Sequence, residues 1–274
     1  MPSAAGALGR FVYGDAPLDT WVAHGPGALK EPWASFERAR QLVRAGKPEE
    51  AAKIWRQIAS TEGLESRQVL QAWHFLRQAG YLPPADQAKL VLGVVAEMPV
   101  HGVHDLLAAY QDGSARYLNY SGTAVVMEDH SESEIQAAIG TWLASGQVIA
   151  SVTGPWDQLS LPPVPAGYAR AMVLTPGGPQ FGQGPAAAPS ADPLAGPFFS
   201  AATSLPAADR PPRHGVNAAG VPEGRGVIYV LVPGAAYRVR RRGESPRLPC
   251  HAVPAAGTRA QAVQQNHGRG VRRA

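Results

Sequence analysis

Residues 116–122, RYLNYSG, hold the groups of this 274-residue chain best suited to handling a small ligand. Arg116 carries a planar fork of donors that can hold an anion. Tyr117, Asn119, Tyr120 and Ser121 add hydroxyl and amide groups within one short stretch. Gly122 interrupts a strand-like run, which predicts a bulge that re-aims its neighbours. Such a bulge would serve a small-ligand pocket or an active site. A nucleophilic Ser121 would need a base, and none stands beside it in sequence. His74, His104 or His130 would have to reach it from across the fold. The plainer reading is a kinked strand whose polar groups are satisfied locally.

Other residues with chemical potential carry weaker patterns. His101 and His104, followed by Asp105, form an H-x-x-H that would place two imidazoles on one helix face. No cysteine, third histidine or glutamate stands at a companion spacing, so no metal and no cofactor is expected. The glycine-rich FGQGP at 181–185 lacks the Lys and Ser/Thr of a phosphate loop. It reads as a permissive turn. His74, next to Trp73, reads as a boundary histidine. Arg238, Arg240, Arg241 and Arg242 form the densest basic cluster, of a kind that meets nucleic-acid phosphates.

Composition divides the chain. Residues 1–204 hold 13 basic and 18 acidic side chains, whereas 205–274 hold 12 Arg and only three acids. The net charge of +4 therefore hides an acidic body and a basic tail. The single cysteine, Cys250, excludes an intramolecular disulfide and fits a reducing compartment. The N-terminus lacks a basic start and apolar core of a signal peptide, and no apolar run reads as a membrane span. These features predict a soluble cytoplasmic protein without a membrane partner.

The elements that would position these residues follow in order. Residues 1–32, rich in Gly, Pro and Ala, read as an irregular arm packing through Phe11, Tyr13, Trp21 and Trp33. Helices are expected at about 32–45, stopped by Gly46, and from Pro48, where Glu49 and Glu50 favour the helix start. Ala51, Ile54, Trp55 and Ile58 repeat at helical spacing. A second pair is expected at about 66–79 and 84–97, with a short helix at 102–111. The run 115–129 is the clearest strand, with Ser121-Gly122 as its bulge. Ser131 and Glu134 predict a capping box for a long helix through Ile135, Ile139, Trp142 and Ile149, which Gly146 would break. Trp156 anchors a Pro-rich loop at 157–167. Residues 169–185 read as a hairpin turned at Pro176-Gly177-Gly178, and a last helix starts near Pro197.

The resulting class is α+β: helical hairpins first (33–111), then a small antiparallel sheet with one long helix (112–204), together one domain or two. Residues 205–274 lose periodicity and are expected to be of low order. Arg, Pro, Gly and Ala in excess without Lys also fit a GC-rich gene read out of frame after about residue 204. Within the tail, GVIYVLVPGAAYRV (226–239) has the pattern of a strand pair turned at Pro233-Gly234.

Two resemblances add to this reading. RARQLVRAGKPEEAAKIWRQIA (38–59) resembles one tetratricopeptide unit at Ala39, Leu42, Gly46, Ala51 and Trp55, departing from it at Ile58, where a small residue is usual. AHGPGALKEPW (23–33), LQAWHFLRQ (70–78), RYLNYSG (116–122), LTP (174–176), FGQGP and ADPL (191–194) together resemble a group of uncharacterised bacterial proteins. That resemblance covers about 23–204 and implies no chemistry. The leading expectation is a non-enzymatic protein-interaction or scaffold module that holds a protein or peptide along the helices of 35–97. The alternatives are a small-ligand binder or enzyme at 117–122, and nucleic-acid binding through the tail.

Overall fold

The computed structural model describes residues 4–21, 30–119, 124–127, 133–158, 161–187, 191–205, 228–232 and 235–239. Four helices come first: α1 (Ala4–Tyr13), α2 (Trp33–Arg44), α3 (Pro48–Ala59) and α4 (Ser66–Gln78). Strands β1 (Gly93–Val100), β2 (Val103–Tyr110), β3 (Ala115–Leu118) and β4 (Ala124–Met127) follow, then α5 (Ser133–Val152), β5 (Tyr168–Thr175), β6 (Gly178–Pro185) and α6 (Ala195–Thr203). The tail adds the strands β7 (Ile228–Val232) and β8 (Ala235–Val239).

One antiparallel sheet runs β6-β5-β1-β2-β3-β4-β7-β8. The first four strands form a meander, and α5 crosses back so that β5 pairs with β1, Val94 opposite Val173. Alternation sends side chains to two covered faces. Val94, Ala96, Leu107, Ala109, Tyr117, Ala171 and Val173 pack beneath α5 and α6 with Trp142, Ile149 and Phe198. Val95, Leu106, Ala108, Tyr110, Leu118, Met172 and Leu174 pack against Val12 of α1 and Leu70 of α4. Helices α2, α3 and α4 share a further core built on Phe36, Ala39, Ala51, Ala52, Trp55 and Phe75. The chain is thus α+β, with helices in the first part and an antiparallel sheet covered on both sides.

Several expectations change. Residues 93–100 and 103–110 are strands, not the helices expected at 84–97 and 102–111, so the sheet begins before residue 112. Their apolar residues fit both periods, and burial on both faces decided for strands. The single bulged strand at 115–129 is a hairpin, in which Ala115 faces Met127 and Leu118 faces Ala124. The arm at 1–32 contains α1, although its aromatic packing is as expected: Phe11 stacks on Trp21 at 5.6 Å and Trp21 meets Trp33 at 5.2 Å. Gly146 does not break α5. A Cβ there would stand 2.5 Å from Val94 Cγ1, so glycine lets the helix lie close on β1.

Helix α5 is 20 residues long and apolar enough to cross a membrane by length and composition. Here it lies on the sheet, burying Ile139, Trp142, Gly146, Ile149 and Ala150. The Ser131 capping box lies outside the described residues. The 168–185 hairpin is formed as expected, and Trp156 anchors to it, its backbone N–H donating to Pro179 O at 2.8 Å and its ring 5.1 Å from Phe181. In the tail, β7 pairs with β4 and β8 with β7, which realises the strand pair expected at 226–239. Most of the tail lies outside the described residues.

Candidate functional site

A cleft of about 630 Å3 opens where the helical layer meets the sheet on the α4 side. Its walls are the α3–α4 loop with the start of α4 (Gly63, Leu64, Glu65, Ser66, Val69), Leu92 ahead of β1, the β2–β3 turn (Gln111, Asp112, Ser114) and Arg116 of β3. Two bonds staple helix to turn. Ser66 N–H donates to Asp112 Oδ2 at 2.7 Å, and Asp112 N–H donates to Ser66 Oγ at 3.1 Å. The other Asp112 oxygen accepts from Ser114 N–H at 2.9 Å, so this carboxylate holds the turn. Glu65 and Gln68 make a capping box that satisfies the first amides of α4.

Arg116 supplies the buried charge. Only 5% of it is exposed; it donates to Ser114 Oγ at 3.0 Å and lies 5.3 Å over the Tyr110 ring. Glu65 Oε2 stands 3.6 Å from Arg116 Nη2 and 2.6 Å from Arg67 Nη2, so one carboxylate faces two guanidiniums. Burial, helped by Arg67, pulls the Arg116 pKa below its ordinary value. Burial likewise pushes the Tyr110 phenol up to about 12, and its OH donates to Val12 O at 2.6 Å.

The other sequence candidates scatter. Tyr117 lies on the opposite face of the sheet, beneath α5, where its OH donates to the buried Asp105 carboxylate. Arg116 and Tyr117 are therefore back to back across one strand, on opposite faces of the sheet. Asn119 is half-buried beyond β3. Tyr120, Ser121 and Gly122 lie outside the described residues. His74 sits on α4, on the Arg116 side of the sheet, its ring 5.7 Å from Phe75. It does not meet Tyr117. His101 occupies the β1–β2 turn with φ of 50°, and His104 lies on β2 with its ring 2.9 Å from Tyr168 O. The two imidazoles share no helix face, because no helix is there. Among the described residues no group of three His, Cys, Asp or Glu is placed to hold a metal. Arg238 lies in β8, whereas Arg240, Arg241 and Arg242 lie outside the described residues.

A second polar cluster, which the sequence did not single out, lies between α1, α4 and the β5–β6 turn. Asp15 Oδ1 is buried without a hydrogen-bond partner, beside a crevice of about 10 Å3 shared by Tyr13, Leu70, Arg77 and Thr175. Burial pushes the Asp15 carboxyl up to about 6. Burial, and then the charges of Arg77 and Arg10, push His74 down to about 4. Arg77 is lowered to about 10 by burial and donates to Pro176 O at 2.6 Å. Nearby, Glu97 pairs with the buried Arg170 at 3.3 Å, and burial, then the Glu97 charge, raise the Tyr13 phenol pKa. This crevice has room for about one water and no larger ligand. The cluster fixes the end of α1 to the sheet.

No protein-family model, no curated protein and no solved structure matches the chain.

Proposed function

We propose that the protein is a binding module whose site is the cleft between the start of α4 and the β2–β3 turn, taking a small molecule or the end of a peptide. The observation that carries this reading is the cleft itself. At about 630 Å3 it falls within the roughly 300–1,000 Å3 of small-molecule sites. Its lining mixes the apolar Leu64, Val69 and Leu92 with the polar or charged Glu65, Ser66, Gln111, Asp112, Ser114 and Arg116, so a bound group would meet both kinds of surface. Among the described residues that line it, none pairs a nucleophile with a base, so binding rather than turnover is proposed. A protein partner along the helices ranks below this. The apolar side chains of α2 and α3 turn inward, and their outward side carries Arg38, Arg44, Glu49, Glu50 and Lys53.

The test is a thermal-shift screen of a fragment collection holding acids, amines and neutral compounds. Wild type is compared with Leu64→Trp, which fills the cleft. Hits should raise the melting temperature of wild type and leave the filled variant unmoved. Hits that shift both proteins equally, or an absence of hits on wild type, would reject the cleft as the site.

A further inference from the structure

We infer that the ligand of this cleft is uncharged, with an amide-like edge read by Gln111 and an apolar body against Leu64, Val69 and Leu92; this rests on the cleft being the binding site. The charges that line the cleft are compensated within the protein. Asp112 accepts from Ser66 N–H at 2.7 Å through one oxygen and from Ser114 N–H at 2.9 Å through the other. Glu65 is held by Arg67 at 2.6 Å and faces Arg116 at 3.6 Å. Arg116 donates to Ser114 Oγ and lies over the Tyr110 ring, among other contacts.

A charged ligand would therefore have to compete with bonds the protein already makes. A carboxylate could reach Arg116 only in competition with Glu65, which Arg67 holds in place. An ammonium would compete with Arg67 for Glu65, and for Asp112 with the two amides that hold the turn and staple it to α4. A neutral ligand disturbs none of these. It also avoids the cost of moving a charge out of water without a counter-charge to meet it.

Gln111 is the lining side chain suited to read such a ligand. The other neutral polar side chains, Ser66 and Ser114, are buried, and their hydroxyls accept from Asp112 N–H and Arg116. Gln111 is exposed, and its backbone N–H donates to Leu92 O at 3.0 Å, which sets it beside the apolar wall. Its carboxamide offers an acceptor and two donors side by side, and a second amide presents the matching edge. This chemistry favours a small molecule over a peptide end, whose terminal group is charged.

The experiment titrates hexanamide, hexanoate and hexylamine into the full chain, followed by calorimetry. The proteins are wild type, Gln111→Leu, Gln111→Glu and Leu64→Trp. Hexanamide should bind wild type at least about tenfold more tightly than either ion. Gln111→Leu should weaken hexanamide several-fold. Gln111→Glu adds an uncompensated carboxylate and should make hexylamine the tightest of the three. Leu64→Trp should abolish binding of all three.

Hexanoate or hexylamine binding wild type as tightly as hexanamide, with Leu64→Trp still blocking it, overturns the uncharged class and leaves the cleft as the site. Hexanamide binding unmoved by both Gln111 substitutions overturns the reading by Gln111, again without touching the cleft. Binding that survives Leu64→Trp removes the cleft as the site and the inference with it. No binding of any of the three overturns the inference too, and the fragment screen then decides the cleft by itself.

Discussion

Asp15 and His74 lie in one buried cluster and titrate in opposite senses. The Asp15 carboxyl is raised from 3.8 to about 6, so the folded state holds its proton more tightly than the unfolded chain. Its stabilising contribution is complete below about 3.8 and is lost as pH rises through about 6. His74 is lowered from 6.5 to about 4, so its contribution is complete above 6.5 and is lost as pH falls through about 4. Each shift corresponds to roughly 3 kcal/mol at ~1.4 kcal/mol per pKa unit, and in wild type the two nearly cancel. The charges of Arg10 and Arg77 act on both groups. Asp15→Asn should therefore lose stability relative to wild type as pH falls from about 7 to 4.5, because His74 is left unopposed. His74→Gln should gain stability relative to wild type over the same range. Urea unfolding at several pH values checks both, and parallel offsets at every pH would sink the assignment. At this scale the sequence was partly legible. Arg116 could be picked out because a guanidinium within a strand needs an acidic or polar partner. Its setting could not, because Ser66 and Asp112 meet across 46 residues of chain. Asp15 was hidden in a Gly/Pro-rich arm whose local pattern does not announce burial.

Among the elements, the β1–β2 hairpin shows where local pattern misleads. Val91, Val94 and Val95 sit at helical spacing, but they belong to a β-branched run that is buried on both faces. The deciding signal was the turn. His101 and Gly102 have φ of 50° and 82°, the left-handed pair that a two-residue hairpin turn requires. His-Gly is a weaker marker than Asn-Gly, and Pro99 lacks the N–H of a ladder donor. Pro99 is accommodated because pairing of β1 with β5 stops at Glu97, so no ladder bond is lost on that side. Replacing His101 tests this geometry. His101→Asn or His101→Gly should be neutral or slightly stabilising, since both tolerate the left-handed region. His101→Val should cost about 1–2 kcal/mol, because a β-branched residue is an outlier there. Chemical denaturation reads the difference, and a valine variant as stable as the asparagine one would mean that the turn has another form. The helices α2, α3 and α4 were legible because Gly46, Pro48 and Gly80 punctuate them and their apolar stripes are long.

For the whole molecule, the three buried clusters run, among the residues whose burial is described, from Val12 to Leu205, which has no exposed surface. In the sequence, charge and periodicity change near residue 204. The sequence did not show that the apolar run 228–239 pairs onto β4, since register between distant strands is set by edges that local pattern does not reveal. Two inferences about the tail can be separated by ending the chain after Leu205. Among the described residues the strand pair joins the body through four residue pairs, Ala124–Met127 against Ile228–Leu231. Losing so short an edge ladder should lower the melting temperature by less than about 5 °C, given roughly 2–4 °C per kcal/mol for a domain of this size. The shortened chain should unfold in one cooperative step and keep the ligand affinities of the full chain, because every wall of the cleft lies between residues 63 and 116. It should also lose any salt-sensitive nucleic-acid capture, as the remaining body is acidic. Calorimetry and a salt-dependent DNA titration on both lengths decide it. A large fall in melting temperature would make β7 and β8 part of the folding unit. Capture that persists after truncation would move nucleic-acid binding from the arginine-rich tail to the body.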